Sequence, residues 1–593
     1  MSATVADFVL QRLVKWGVRT VFGYPGDGIN GLIAAFNRMA NDGNAVRFVQ
    51  SRHEETAALM ACGHAKLTGE LGVCTSTSGA GAIHLLNGLY DARLDHAPVL
   101  AIVGQTSRSV IGSDYVQEVD LPTLFKDVAH EYVCVAMTSE QIGHLVDRAI
   151  RTALAERTVT CLILPKDVQE LPYEPSLAER EVLETACGYA RPIVVPTPED
   201  LDRAASILNA GERVAMLIGQ CARGAEAQLL AVADVLGAGI AKALLARDIL
   251  PDDLPYVTGP LGMLGTKPSS EMMEHCDTLF MIGSSFPYAE FLPKPGQANG
   301  IQLDIDPRRL GVRYPMTVSL VGDAKATLEA LLPRLKRKRD TKWRDRTVGW
   351  TSEWWHVMEE RARVPANPIN PQLVFWELSA RLPDNAIITA DSGTVTEWWA
   401  RDLKLRPGMR ATVSGGLATM GCAIPYAIAA KLAYPDRPVI ACVGDGAMQM
   451  NGMSELLTIT RYASEWKDPR FVVLVLDNSE LAFVTWELRA MQGDPKYAAS
   501  QELPRFDYAS YAELAGFRGL KMEHPSQVAS RWHEALSEDR PVVIDAITDP
   551  NVPPLPPHID LAMLKAFTLS VLRSPQEERG PLLKEALMNI VAR

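Results

Sequence analysis

An apolar run from Pro438 to Val443 stops at Gly444-Asp445-Gly446, and 33 positions after Asp445 a second run, Phe471 to Leu476, has stopped at Asp477-Asn478. A carboxylate and a side-chain amide oxygen at the ends of two neighbouring parallel strands are hard oxygen donors. Such a set suits Mg²⁺, which joins a few protein oxygens to the phosphates of a substrate or cofactor. The stretch Met448 to Tyr462 between the two runs reads as the crossover helix. Gly-Asp-Gly also occurs wherever a tight turn needs glycine for steric reasons alone. The spaced Asn and the flanking strands are what favour the metal.

The whole chain must supply the scaffold for that pair. Its 593 residues suggest three or four domains. With 47% hydrophobic and 22% charged residues it has an ordinary globular composition. The formal charge of -12 and the scarcity of basic runs disfavour nucleic-acid binding. Lys336 to Arg339 is a short basic stretch at a junction and reads as a solvated charge run. Nine cysteines are scattered without metal-type spacing and read as reduced core residues. The first residues show no signal pattern, and no apolar stretch is long enough to span a bilayer. The expectation is a cytoplasmic protein.

Apolar runs alternate with helical patterns throughout, which predicts α/β domains with parallel sheets. In the first region the predicted strands are Val18 to Phe22, Gly72 to Ser76, Val99 to Val103 and Thr160 to Leu164. Pro175 to Thr197 reads as a linker. The second region contains Val214 to Ile218, Thr278 to Ile282 and Ile301 to Ile305. Val364 to Pro371 forms the next junction, and a third region holds the two runs above. The last forty or so residues are Pro-rich and then helical.

The first region also carries Arg52-His53-Glu54-Glu55, which opens an apolar helix, and Ser76 to Gly81, a glycine-rich turn that opens another. With these motifs the whole chain resembles thiamine-diphosphate enzymes of the pyruvate oxidase and acetolactate synthase superfamily. The resemblance implies three doubly wound parallel-sheet domains and a helical tail: a PYR domain over 1–174, a central FAD-binding-like domain over 190–335, a PP domain over 365–550 and a tail over 551–593. It implies Glu54 as the carboxyl that hydrogen-bonds the aminopyrimidine, a role that needs a raised pKa in a dry pocket. It implies Asp445, Asn478 and the Glu480 carbonyl as Mg²⁺ ligands, Gly446 and Ala447 amides at the diphosphate, and Ala418, Thr419 and Met420 around the aminopyrimidine. Two departures appear. Asp477 stands where the family has Asn, and Ala482 where it has Gly. The Asp445 to Asn478 spacing is longer than usual, and Ala463 to Pro469 reads as the surface loop that absorbs the excess.

In the central region Gly283, Ser284, Ser285, Phe286, Pro287 and Tyr288, followed by Asp304, resemble an FAD segment. Small residues at a strand end let a dinucleotide approach, and an acid on the next strand bonds a ribose hydroxyl. Gly219 and Gly262 are further candidates, although no true GxGxxG is present. His84, Phe483, Glu487 and Gln117 match the oxidase branch, with Val116 in place of the usual Phe. The resemblance therefore implies oxidative decarboxylation of pyruvate or a similar 2-oxo acid, electrons passing to FAD and then to quinone or oxygen. The alternative is a non-oxidative carboligase or decarboxylase like acetolactate synthase. It also implies a homo-oligomer, a dimer of dimers, whose cofactor lies between PYR and PP domains of different subunits. The tail resembles that of quinone-linked pyruvate oxidase. It is read either as a contact with the inner face of the cell membrane or as a helix packed on a neighbouring subunit.

Overall fold

The computed structural model describes residues 3–40, 45–173, 185–557 and 561–591. Eighteen strands form three six-stranded sheets, and every strand pair in them is parallel. The first sheet holds β1 (Thr20–Gly23), β2 (Arg47–Gln50), β3 (Gly72–Ser76), β4 (Val99–Gln105), β5 (Val133–Val135) and β6 (Val159–Pro165), in the order β2-β1-β3-β4-β6-β5. The second holds β7 (Val214–Ile218), β8 (Gly239–Lys242), β9 (Val257–Pro260), β10 (Thr278–Ile282), β11 (Asn299–Asp304) and β12 (Met316–Val321), in the order β12-β11-β10-β7-β8-β9. The third holds β13 (Ile387–Ala390), β14 (Arg410–Thr412), β15 (Val439–Gly444), β16 (Phe471–Asp477), β17 (Arg518–Met522) and β18 (Val542–Ile547), in the order β14-β13-β15-β16-β18-β17.

Helices cover both faces of each sheet, so central strands such as β4, β6 and β16 are buried at every residue. Continuous apolar runs, rather than alternating ones, are the consequence. Strand order reverses between β1 and β3, between β7 and β10, and between β13 and β15. In open α/β sheets these switch points form the crevice where ligands bind, beyond the carboxyl ends of the strands.

The first and third sheets are joined by a shared core. Helix Glu54–Thr68 packs on helix Ala423–Ala433, and Gly63 lies so close to Tyr426 that a Cβ there would fall 2.7 Å from the ring. Lys66 is buried in this interface. It donates to the Val413 carbonyl at 2.9 Å and the Tyr426 hydroxyl at 2.8 Å, and pairs with Asp95, with Asp91 at 3.6 Å.

Two expectations change. The crossover helix begins at Asp445 itself and passes through a π-helical turn, Met448–Gly452, before Met453–Tyr462. Such turns insert one residue and recur at functional sites. Trp466, inside the supposed surface loop, is buried and stacks on Phe471 at 5.3 Å, so an aromatic anchor pins that segment to the core. The start of the Pro175 linker, up to residue 184, and His558 to Asp560 of the tail lie outside the described residues.

Candidate active site

The end of β15 delivers Asp445, 3% exposed, to the β13–β15 switch point. Its Oδ1 accepts from Gly446 N at 2.8 Å and its Oδ2 from Asn478 N at 3.0 Å. Burial, and next the charge of Asp477, push the Asp445 carboxyl up to about 7 despite those two donors. A divalent cation would reverse that balance and hold the group ionised. Asn478 follows β16 directly, and its Oδ1 accepts from Glu480 N at 3.0 Å. Ser479 between them takes a φ of +55. Asp445 at the end of β15 is thus hydrogen-bonded to the turn after β16 that carries Asn478 and Glu480, and the hard-oxygen chemistry of the three fits Mg²⁺. Met420 reaches the same place: its terminal methyl would lie 3.2 Å from a Cβ on Gly446. Ala418 has a φ of +54, and Thr419 N donates to Ser414 Oγ at 3.0 Å.

That segment is held from both domains. Asp391, fully buried after β13, accepts from Gly421 N at 2.7 Å and Ala423 N at 3.0 Å. Asp95 accepts from Gly415 N at 2.9 Å and Gly416 N at 2.6 Å, while Ser414 Oγ donates to Asp91 at 2.6 Å. Sequence inspection did not single out Asp391, Asp91, Asp95 or Lys66. Buried charges inside apolar helical patterns were the available signal.

Glu54 is the first residue of its helix, capped by His53, and is 8% exposed. Its Oε2 lies 3.0 Å from His84 Nδ1, and the His53 and His84 rings stand 4.4 Å apart. A Cβ on Gly81 would come within 3.0 Å of Glu54 Oε1, so that glycine leaves the room the carboxylate uses. Gln117 joins the group from a strained backbone of φ +64, its Oε1 accepting from Ser78 Oγ at 2.8 Å. The Ser76–Gly81 turn therefore gathers Glu54, His84 and Gln117. Val116 beside them is 75% exposed, so it lines no wall within one chain. Among the described residues Glu54 makes no hydrogen bond to the Asp445 turn, while its neighbour Glu55 reaches the Met420 segment through Asn87, whose Nδ2 donates to Glu55 Oε1 at 2.6 Å and to Thr419 Oγ1 at 2.9 Å.

In the central domain, Gly219 and Gly283 end β7 and β10 at their switch point. A Cβ on Gly219 would fall 2.5 Å from Ser284 Cβ, and one on Gly283 would fall 2.5 Å from Ala222 N. Gly283 has a φ of +62 and Gly262 one of +112. Asp304, 4% exposed at the end of β11, accepts from Asp306 N at 3.0 Å, and burial raises its carboxyl. Ser285 is half-buried, and Pro287 and Tyr288 are exposed. Phe286 is buried in the domain core, where it packs edge-on to Tyr288 at 5.9 Å, so it acts through packing. The two glycines let the β7 and β10 loops pack on each other beside a buried acid on the next strand end, at the kind of switch point where α/β sheets take their ligands.

Helix Ala482–Glu487 starts two residues past Glu480 and carries Phe483 and Glu487 one turn apart. Both line an apolar cavity of about 100 Å³ between this helix, Met263, Pro553–Leu555 and the tail helix Leu561–Arg573. Trp486 stacks on Phe567 of the tail at 6.0 Å. Burial raises the Glu487 carboxyl. Glu397 at the same cavity is raised to about 7, burial outweighing the attraction of Arg401, whose guanidinium also bonds the Met263, Gly265 and Leu555 carbonyls.

Three family models cover most of the chain: "Thiamine pyrophosphate enzyme, N-terminal TPP binding domain" over 3–124, the central domain over 201–331 and the C-terminal TPP binding domain over 391–546. The chain is 38% identical to the putative thiamine pyrophosphate-containing protein YdaP of Bacillus subtilis over 99% of both chains. It is 31% identical to the pyruvate oxidase of Lactiplantibacillus plantarum, over 91% of this chain and 87% of that one. A probable acetolactate synthase large subunit of Methanocaldococcus jannaschii is also 31% identical, over 93% of each. With TPP-binding domains at both ends, a metal-type turn on the third sheet and a buried glutamate on the first, the chain belongs to the thiamine pyrophosphate enzyme family.

Proposed function

We propose that this protein oxidatively decarboxylates pyruvate or a similar 2-oxo acid and passes the electrons through FAD to quinone or oxygen. The observation that supports the flavin-linked reading is the β7–β10 switch point, where Gly219 and Gly283 pack together beside the buried acid Asp304. Glu487 on the helix after the metal turn supports it as well. Thiamine diphosphate supplies the electron sink for loss of carbon dioxide, and FAD a two-electron acceptor. The chain's own residues bind and orient. Asp445, Asn478 and the Glu480 carbonyl hold Mg²⁺, Gly446 and Ala447 present amides to the diphosphate, and Ala418, Thr419 and Met420 hold the aminopyrimidine. Glu54 keeps a proton at the ring nitrogen, with His84 at 3.0 Å as its hydrogen-bond partner. Gln117, Phe483 and Glu487 face the substrate.

The assembly is a homo-oligomer in which one subunit's Glu54 serves its partner's Asp445 turn. The tail makes peripheral contact with the inner face of the cell membrane. Leu561, Leu572 and Leu587, all more than half exposed on the two tail helices, support that reading.

Anaerobic pyruvate should bleach the flavin absorption of the purified protein. Glu54→Gln should lower turnover by about 100-fold or more while FAD content stays unchanged; normal turnover in that variant would sink the assignment. The acetolactate synthase relatives support a second reading, a carboligase with structural flavin. Flavin that pyruvate cannot reduce, with acetolactate accumulating, would select it.

A further inference from the structure

Asp477 ends β16 one residue before Asn478 and is 5% exposed. Its Oδ1 accepts from Ser479 N at 2.9 Å and Ser479 Oγ at 3.1 Å, which closes the turn that presents Asn478 and Glu480. These donors are neutral. Among the described residues no lysine, arginine or histidine pairs with Asp477. Two lysines on neighbouring elements pair with other acids: Lys521 with Asp507 at 2.7 Å, and Lys496 with Glu480 and Glu502 at 3.0 Å each.

The surroundings add more negative charge. β16 pairs with β18 so that Val475 faces Asp545 and Asp477 faces Ile547. With a side-chain period of two, Asp477 and Asp545 project from the same sheet face on a diagonal. Asp545 is 1% exposed; its Oδ2 accepts from Tyr508 N at 3.2 Å, and its Oδ1 is buried without a partner. On the other side, Asn478 N reaches Asp445 Oδ2 at 3.0 Å. Three buried carboxylates thus stand on three adjacent strands; Lys521 on β17 faces Asp545 across the sheet, while Asp477 pairs with no cation among the described residues, and charges act strongly through such low-dielectric surroundings.

We propose that Asp477 sets the metal dependence of the cofactor site: its unpaired charge tightens divalent-cation binding at Asp445 and Asn478 and repels a diphosphate that arrives without the metal. The inference rests on the thiamine-diphosphate reading of that turn. It makes two predictions of opposite sign for Asp477→Asn, which keeps an acceptor for Ser479 and removes the charge.

The test is calorimetric titration of the intact protein with Mg²⁺ and thiamine diphosphate, together and separately. In the variant, Mg²⁺ affinity in the presence of thiamine diphosphate should fall about tenfold, equivalent to about 1.4 kcal/mol. Binding of thiamine diphosphate in chelator should strengthen. Mn²⁺ affinity should fall by the same factor as Mg²⁺, because a charge outside the ligand set acts on all divalent ions alike. A parallel loss of both affinities, no change in either, or a change for Mn²⁺ alone overturns the role assigned to Asp477. A wild type that binds neither magnesium nor thiamine diphosphate overturns the cofactor assignment itself, and this inference with it.

Discussion

Glu54 and Glu397 are both buried glutamates, and their partners separate their tasks. Glu54 meets a histidine at a glycine-rich turn, whereas Glu397 is locked to Arg401 beneath the tail cavity. Burial raises Glu397 from 4.5 to about 7, so the folded chain holds a proton there that the unfolded chain has released. The sign follows from linkage: the stabilisation is complete below about pH 4.5 and is lost as pH rises through about 7. Melting temperatures of wild type and Glu397→Gln, compared between those two pH values, should diverge. The wild type loses stability relative to the variant as pH rises, and parallel curves would contradict the assignment.

At the scale of elements, the tail is tied to the helix that carries Phe483 and Glu487. Trp486 stacks on Phe567, and Arg573 bonds Asp494 at 2.7 Å and the Gly493 carbonyl at 3.0 Å. Only one side of each tail helix is used in this way: Val571 and Leu582 are buried, while Leu572 is 61% and Leu587 58% exposed. Exposed leucines on a helix that also has a docked face suit reversible contact with a lipid surface. Liposome flotation should therefore recover the intact chain and fail to recover one truncated after Pro554. Equal flotation would assign the exposed leucines to contact between subunits.

For the whole molecule, the proposed sharing of each site between two subunits sets the unit of activity. In a C2 dimer each site would draw Glu54 from one subunit and Asp445 from the other. Glu54→Gln and Asp445→Asn, each inactive alone, should then complement when co-expressed. Random pairing makes half of the dimers mixed, each with one intact site, so activity should recover to roughly a quarter of the wild-type level. No recovery in the mixed population would place both residues in the same chain's site.

The sequence by itself determined the architecture and the place of the turn that carries Asp445 and Asn478. Apolar runs such as Phe471 to Leu476 can only be central parallel strands covered on both faces, and Gly-Asp-Gly with Asn478 marks hard-oxygen donors at two of their ends. Spacing along the chain was enough because these features are local to a strand and its turn. Strand order, and with it the switch points that turn Gly219 and Gly283 into neighbours, depends on pairing between distant segments and came only with the tertiary structure. The same holds for Lys66 with Asp91 and Asp95, for Asp391 under the Met420 segment, and for Trp466, read from the chain as part of a loop. Each earns its place through a partner dozens or hundreds of residues away. Asp477 stood out in the sequence as a departure, but only the folded sheet shows that its carboxylate pairs with no cation among the described residues.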